Sequence, residues 1–183
     1  TVDCYQFMDK ETGDIRQKTG RTERIWRLVY PEFFEEAVEN TPARIICTQT
    51  HGMGIQYRNA FANTQVVFSE YDRLFKTGKY NIDLIDLLEM AMARLCYPFA
   101  LEEEAGDVYA KWLSCHLREG ASLLLEQADM ENLRWLIERF VTESEQIEVV
   151  LKEAKRLAAA QAVSIIMDVK HQRFPVMKKK FCL

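Results

Sequence analysis

The chain has 183 residues, 48% hydrophobic and 28% charged, a composition that excludes intrinsic disorder and suits one domain able to bury its own core. Its net charge of −4 conceals a segregation: residues 1–80 balance to zero, residues 81–169 carry −9 and residues 170–183 carry +5. No apolar run reaches the ~18 to 20 residues that span a bilayer, and residues 1–10 lack the basic start and apolar middle of a signal peptide, so a cytoplasmic protein without a membrane span is expected.

Five cysteines (Cys4, Cys47, Cys96, Cys115 and Cys182) are an odd number without a CxxC pair, which fits free thiols in a reducing compartment. Prenylation needs a cysteine fourth from the end, whereas Cys182 is second, so no lipid anchor is expected.

Along the chain, Cys4 to Met8 reads as a strand, followed by a turn at residues 11–14 and a second short strand at Ile15 to Lys18. From Thr22 the spacing of Ile25, Trp26, Leu28 and Val29 predicts a helix. A second helix is predicted from Pro31 to Asn40, with Phe33, Phe34, Ala37 and Val38 opposite four glutamates. Residues Ala43 to Thr48 form a β-prone run punctuated by Gly52 and Gly54. Ile55 to Tyr57 and Thr64 to Phe68 are further candidate strands, and Ser69 to Lys76 is a helical turn closed by Gly78.

Beyond Tyr80 the pattern is helical. Asn81 is placed to cap a helix carrying Leu84, Ile85, Leu88 and Met92 inward, which Pro98 ends. A second helix is predicted from Glu102 into Glu119, with Val108, Trp112, Leu113 and Leu117 inward and Gly120 stopping or bending it; Ser122 to Gln127 makes another turn. From Ala121 to Phe174 there are 54 residues without glycine or proline, which requires packed helices. Asp129 caps a helix whose Met130, Leu133, Leu136, Ile137 and Phe140 share a face. Thr142 and Glu145 match a capping box ahead of Ile147, Val150, Leu151 and Ala154. Ala158, Ala159, Ala160 and Ala162 permit a tight crossing of helices, and Thr142 to Phe174 is read as two helices broken near Leu157 to Ala160 rather than one bent helix, before a last stripe of Val163, Ile166 and Met167. Trp112 and Trp135 recur at matching places and are expected as core anchors.

Blocks 81–127 and 129–174 share a layout of capped amphipathic helices, which points to stacked hairpins. The segment ADMENLRWLIERF, followed by TESEQIEVVLKEAKRLAAAQAVSIIMDVKHQRF, resembles the ankyrin-like helical pairs that close several small proteins of bacterial mobile elements. The resemblance covers residues 128–174, lacks the TPLH-type signature, and has alanines where a turn glycine is expected; it implies stacked helices and a binding role. The expected fold is mainly α (α+β), with a small N-terminal α/β portion over residues 1–80 packed on a helical-hairpin region over residues 81–183 as one cooperative unit.

The candidate chemistry is sparse. Cys47 and His51 flank the turn at Gly52-Met53-Gly54 and offer a nucleophile and a base, set against a buried cysteine and a polar loop histidine. The same glycines would let backbone N–H groups cradle a phosphate, but no Lys-Ser/Thr follows them and a turn is expected. Cys115, His116 and His171 lack metal-ligand spacing, so no metal and no cofactor are expected. Two surfaces stand out instead. Glu102, Glu103, Glu104 and Asp107, with Glu143, Glu145 and Glu148, form an acidic helical surface suited to a basic protein groove, set against plain solubility. Arg16, Lys18, Arg21, Arg24 and Arg27 form a basic stripe, the last three on one helical side, suited to phosphates or an acidic partner, with Lys178 to Lys180 as an addition. A non-enzymatic protein-binding module is the expected function. More sharply, small size, acidic helices and lack of catalytic motifs resemble the general character of anti-CRISPR proteins, which implies an inhibitor or regulator of a nucleic-acid-handling complex. Direct nucleic-acid binding through the stripe and a cysteine-dependent enzyme are the alternatives.

Overall fold

The computed structural model describes residues 1–8, 21–40, 45–62 and 65–175. It is mostly α, and among the described residues the strand pairs lie between Val2 and Val66. The strands are β1 (Val2–Met8), β2 (Arg21–Leu28), β3 (Phe34–Asn40), β4 (Ile45–His51), β5 (Phe61–Ala62) and β6 (Gln65–Val66). They form three separate antiparallel pairs, β1 with β2, β3 with β4, and β5 with β6. The helices are α1 (Gly54–Arg58), α2 (Phe68–Gly78), α3 (Leu84–Cys96), α4 (Glu103–Cys115), α5 (Leu117–Glu126), α6 (Met130–Phe140), α7 (Ser144–Arg156) and α8 (Ala160–Arg173), with a 3-10 turn at Lys79–Asn81. The chain divides into two compact units, Thr1–Trp112 and Leu113–Leu183.

Several expectations in the first unit are corrected. Both helices predicted from Thr22 and from Pro31 are strands, β2 and β3, because cross-strand pairing with β1 and β4 overrides a helical spacing that short apolar runs share with irregular strands. In β2 the register jumps between Cys4–Trp26 and Tyr5–Arg24, leaving Ile25 as an extra bulged residue; this insertion imitates a helical period. Ile55 to Tyr57 belongs to helix α1 rather than a strand. The position before α3 is held by Asp83, and Asn81 lies in the 3-10 turn. The strand at Ile15 to Lys18 and the preceding turn lie outside the described residues.

The core of this unit is aromatic. Tyr57, Tyr71, Phe75 and Tyr109 are buried, and Tyr71 packs edge-on against both Tyr30 and Tyr57. The Tyr71 hydroxyl donates to Val29 O at 2.5 Å, tying α2 to the residue after β2. Gly52 adopts φ +94, and a Cβ on Gly54 would lie 2.1 Å from Pro31 O, so these two glycines let the β4–α1 turn seat the Pro31–Phe33 segment by direct backbone contact.

In the second unit α5 packs on α6 and α7, and α8 packs on α6 and α7. Leu117, Gly120, Ala121 and Leu124 of α5 are buried, and so, thirty residues on, are Ile147, Val150, Leu151 and Ala154 of α7. Each helix therefore offers the same i, i+3, i+4, i+7 stripe to its neighbours. The turns also repeat. Ala128 and Ala158 both sit in the left-handed region, at φ 54 and φ 52. At each, the alanine N–H reaches the carbonyl three residues back (Leu125, Lys155) and the next N–H reaches one five back (Leu124, Ala154), the Schellman closure in which glycine is usual.

The break expected near Leu157 to Ala160 is present between α7 and α8, and Asp129 caps α6 by accepting from Asn132 N at 3.1 Å. Other boundaries shift. The helix predicted from Glu102 into Glu119 is interrupted at His116, and α5 runs straight through a buried Gly120. The cap of α7 falls one residue later than the Thr142–Glu145 box: the Gln146 side chain accepts from Glu143 N at 3.1 Å and Thr142 N at 2.8 Å. The buried stripe of α8 is Ala162, Ile166 and Val169, and Trp112 and Trp135 are half-buried rather than central.

Candidate functional site

Helix α4 begins beside α2 in the first unit, and a groove of about 290 Å³ opens between them, lined by Ser69, Asp72, Arg73 and Lys76 of α2 with Glu102, Glu104, Ala105 and Val108. Two of the acidic residues singled out in the sequence thus line one groove, and Glu103 and Asp107 are exposed on the same turns. Lys76 Nζ donates to Glu104 Oε1 at 2.8 Å across it, and this bond holds the Glu104 carboxyl below its usual range. Along α2, Arg73 donates twice to Glu70, at 2.9 and 2.6 Å.

Beneath the groove lies a charge network that periodicity did not disclose. Arg94 is fully buried and donates from Nε and Nη2 to the two oxygens of Asp72, both at 2.8 Å. Its Nη1 donates to Phe99 O at 3.0 Å, and its guanidinium lies 5.1 Å from the centre of the Phe68 ring. The Tyr109 hydroxyl donates to Asp72 Oδ1 at 2.9 Å. Burial pulls the Arg94 pKa down, but the Asp72 hydrogen bonds and charge outweigh it and raise it overall; burial and the Asp72 charge raise Tyr109 well above the usual phenol range. A signal for this network does exist in the sequence: Asp72 sits beside Tyr71 and before Phe75, and Arg94 continues Leu87, Met90 and Ala91, so each charge occupies a position where the helical stripe calls for an apolar residue.

The second acidic cluster belongs to the other unit. Glu143, Glu145 and Glu148 are exposed at the start of α7, and Lys170 of α8 pairs with Glu148. A cavity of about 250 Å³ between the α4–α5 corner and α7 is lined by Ser114, Cys115, Leu117, Arg118, Glu119, Gln146, Val149 and Val150. Nearby, the buried Glu153 carboxylate accepts from Arg156 at 2.6 and 3.0 Å and from Ser122 at 3.2 Å, bonds that lower its pKa.

The basic stripe is differently built from the expectation. Arg21, Arg24 and Arg27 are on strand β2, not a helix, and Arg16 and Lys18 lie outside the described residues. The bulge at Ile25 brings Arg24 and Arg27 to one side, where both are engaged by Asp3: Arg27 Nε and Nη2 donate to its two oxygens at 2.7 and 2.9 Å, and Arg24 Nη2 lies 3.4 Å away. Arg24 also donates to the Tyr97 hydroxyl at 3.1 Å. These arginines fasten β1 to β2 and to the end of α3.

Cys47 and His51 share strand β4, where they pair with Val38 and Phe34. Four strand rises separate their backbones by about 13 Å, beyond the reach of a nucleophile–base hydrogen bond. Among the described residues no three His, Cys, Asp or Glu side chains are grouped to hold a metal ion, and no helix is long and apolar enough to cross a membrane. No family model, curated protein or solved structure matches this chain.

Proposed function

We propose that the chain is a non-enzymatic protein-binding module that presents acidic helical surfaces to a basic partner, acting as an inhibitor or regulator of a nucleic-acid-handling complex in the manner of anti-CRISPR proteins. The observation that carries this reading is the Lys76–Glu104 bridge across the mouth of the α2–α4 groove, both of whose side chains are exposed. Such a pair is screened and easily exchanged, so a partner's lysine or arginine can replace Lys76 and gain Glu102 and Glu104 together. A second ion pair, Lys170–Glu148 between α8 and α7, leaves its carboxylate exposed but its lysine more covered. The engagement of Arg24 and Arg27 by Asp3 favours this reading over phosphate binding through the stripe. The likeness of residues 128–174 to ankyrin-like pairs enters as part of the same proposal.

The test is capture on the tagged full chain from nuclease-treated extract, followed by reversal to lysine of Glu102, Glu103, Glu104 and Asp107, then of Glu143, Glu145 and Glu148, then of both sets. Because these carboxylates lie near helix starts and favour the helix dipole, each variant is read beside a melting curve. Binding of the captured protein should weaken at least tenfold for the working cluster. Full affinity with both sets reversed in a folded chain would sink the acidic-surface mechanism.

A further inference from the structure

Helical spacing assigns Leu84 and Ile85 to the core, but the structure leaves them exposed at 42% and 59%, while the buried face of α3 begins only at Leu87. Tyr80, in the adjoining 3-10 turn, is 85% exposed. Phe33, 40% exposed, stands next to Glu32, whose backbone N–H is hydrogen-bonded by Asp86 one position beyond Ile85. Three large exposed apolar side chains, Tyr80, Leu84 and Ile85, thus stand at the start of α3, with Phe33 on the segment that Asp86 bonds, more than a helix terminus needs for folding. The Pro31–Phe33 segment is held there by close backbone contact with Gly52 and Gly54, so Phe33 is presented from a seated segment.

The charges around these side chains decide what can cover them. Asp83, Glu89 and Glu32 lie close enough to Asp86 to act on it, and Lys79 lies 5.7 Å from the centre of the Tyr80 ring, so among the described residues four carboxylates face this lysine. Burial raises the Asp86 pKa first, and the charges of Asp83, Glu89 and Glu32 raise it further, a sign that the local potential is negative. Nucleic acid and an anionic bilayer would both be repelled from such a surface. A helix or strand with apolar side chains flanked by lysine or arginine would satisfy both the apolar side chains and the carboxylates.

We propose that the surface made by Phe33, Tyr80, Leu84 and Ile85 with these carboxylates docks a cationic amphipathic segment of a partner protein. This rests on the protein-binding reading and names for it a surface on α3, distinct from the acidic residues of α4 and α7. Neither of those clusters has more than one large exposed apolar residue near it in sequence, Phe99 before α4 and Val149 on α7, so they supply steering charge without an apolar anchor.

The probe is a fluorescein-labelled 14-residue helix of leucine and lysine, titrated with the full chain and followed by anisotropy, beside a peptide with glutamate in place of each lysine. The cationic peptide should bind saturably and the acidic one at least tenfold more weakly. Leu84→Ser with Ile85→Ser should weaken the cationic peptide at least tenfold with an unchanged melting curve. Asp83→Asn with Asp86→Asn, which removes two charges at nearly constant side-chain size, should weaken it at least threefold and flatten its salt dependence. Reversal of Glu102, Glu103, Glu104 and Asp107 should leave the peptide affinity within twofold. If the serine variant binds as well as the wild type, or both peptides bind alike, the docking surface is wrong. If only the α4 reversal abolishes peptide binding, this inference fails while the protein-binding reading stands. Duplex DNA or anionic vesicles binding in place of the peptide, and lost on Leu84→Ser with Ile85→Ser, would overturn the choice of partner.

Discussion

Arg94 in the first unit and Glu153 in the second are both charged side chains withdrawn from water, yet they are balanced in different ways. Arg94 is dry on every side, and its partners are Asp72, Phe99 O and Phe68, reached across the chain from α2 and from the residues before α4. Glu153 has arginine partners whose side chains are themselves exposed, and its nearest, Arg156, is three residues away on the same helix. The first unit is knit by bonds distant in sequence, while the second repeats a local hairpin whose turns and stripes recur every thirty residues. A dry pair has no substitute for a missing partner, whereas water can solvate a half-open one.

The largest effect is expected where the first unit is driest. Arg94→Ala leaves Asp72 charged and buried, and the full chain should lose about 3–5 kcal/mol in urea unfolding. Replacing both partners, Arg94→Met with Asp72→Leu, should recover most of that loss, since an apolar pair of similar volume needs no compensating charge. Glu153→Gln should cost much less. An equal loss at Glu153 would erase the contrast between the units.

The repeated turns offer a test of the second unit. Ala128→Gly and Ala158→Gly remove the left-handed strain of an alanine side chain, offset in part by the greater freedom of glycine in the unfolded chain, so each should stabilise by roughly 0.5–1 kcal/mol. The two turns share their geometry, so the gains should match and add; unequal gains in thermal unfolding would show that the hairpins are not energetic copies.

The smallest effect is a pH dependence at the start of α3. Because the folded Asp86 pKa is raised, its carboxyl contributes most favourably when protonated, and that contribution is lost as pH rises through the carboxylate range. The melting temperature of Asp86→Asn, relative to wild type, should therefore climb between about pH 3 and pH 7. A difference that falls over that interval would reverse the sign of the local potential and remove the electrostatic support for a cationic partner.

Legibility followed the range of the interactions. The helices from α6 to α8 were readable because their caps and breaks are set by residues within a few positions, as at Asp129 and at Leu157 to Ala160, whereas the bounds of α5 were missed because Gly120 lies buried inside the helix instead of ending it. Residues 22–40 misled because a strand with a bulge and an amphipathic helix share an apolar spacing, and only pairing across the chain separates them. The acidic residues of α4 could be named from their charge, but the groove they line needs α2, and the buried Asp72–Arg94 pair appeared in the sequence only as charges at apolar positions.

The sequence by itself determined that the chain is mostly helical, where the last three helices lie to within a few residues, and that its charge is acidic along the middle. Those properties depend on local spacing and composition, which act before any distant contact forms. Tertiary structure decided that Arg24 and Arg27 are taken up by Asp3, that Asp72 meets Arg94 in the core, and that Leu84 and Ile85 face solvent. Each of these depends on which distant segment arrives beside a residue, and a side chain's role as core, clasp or docking surface is set by that neighbour.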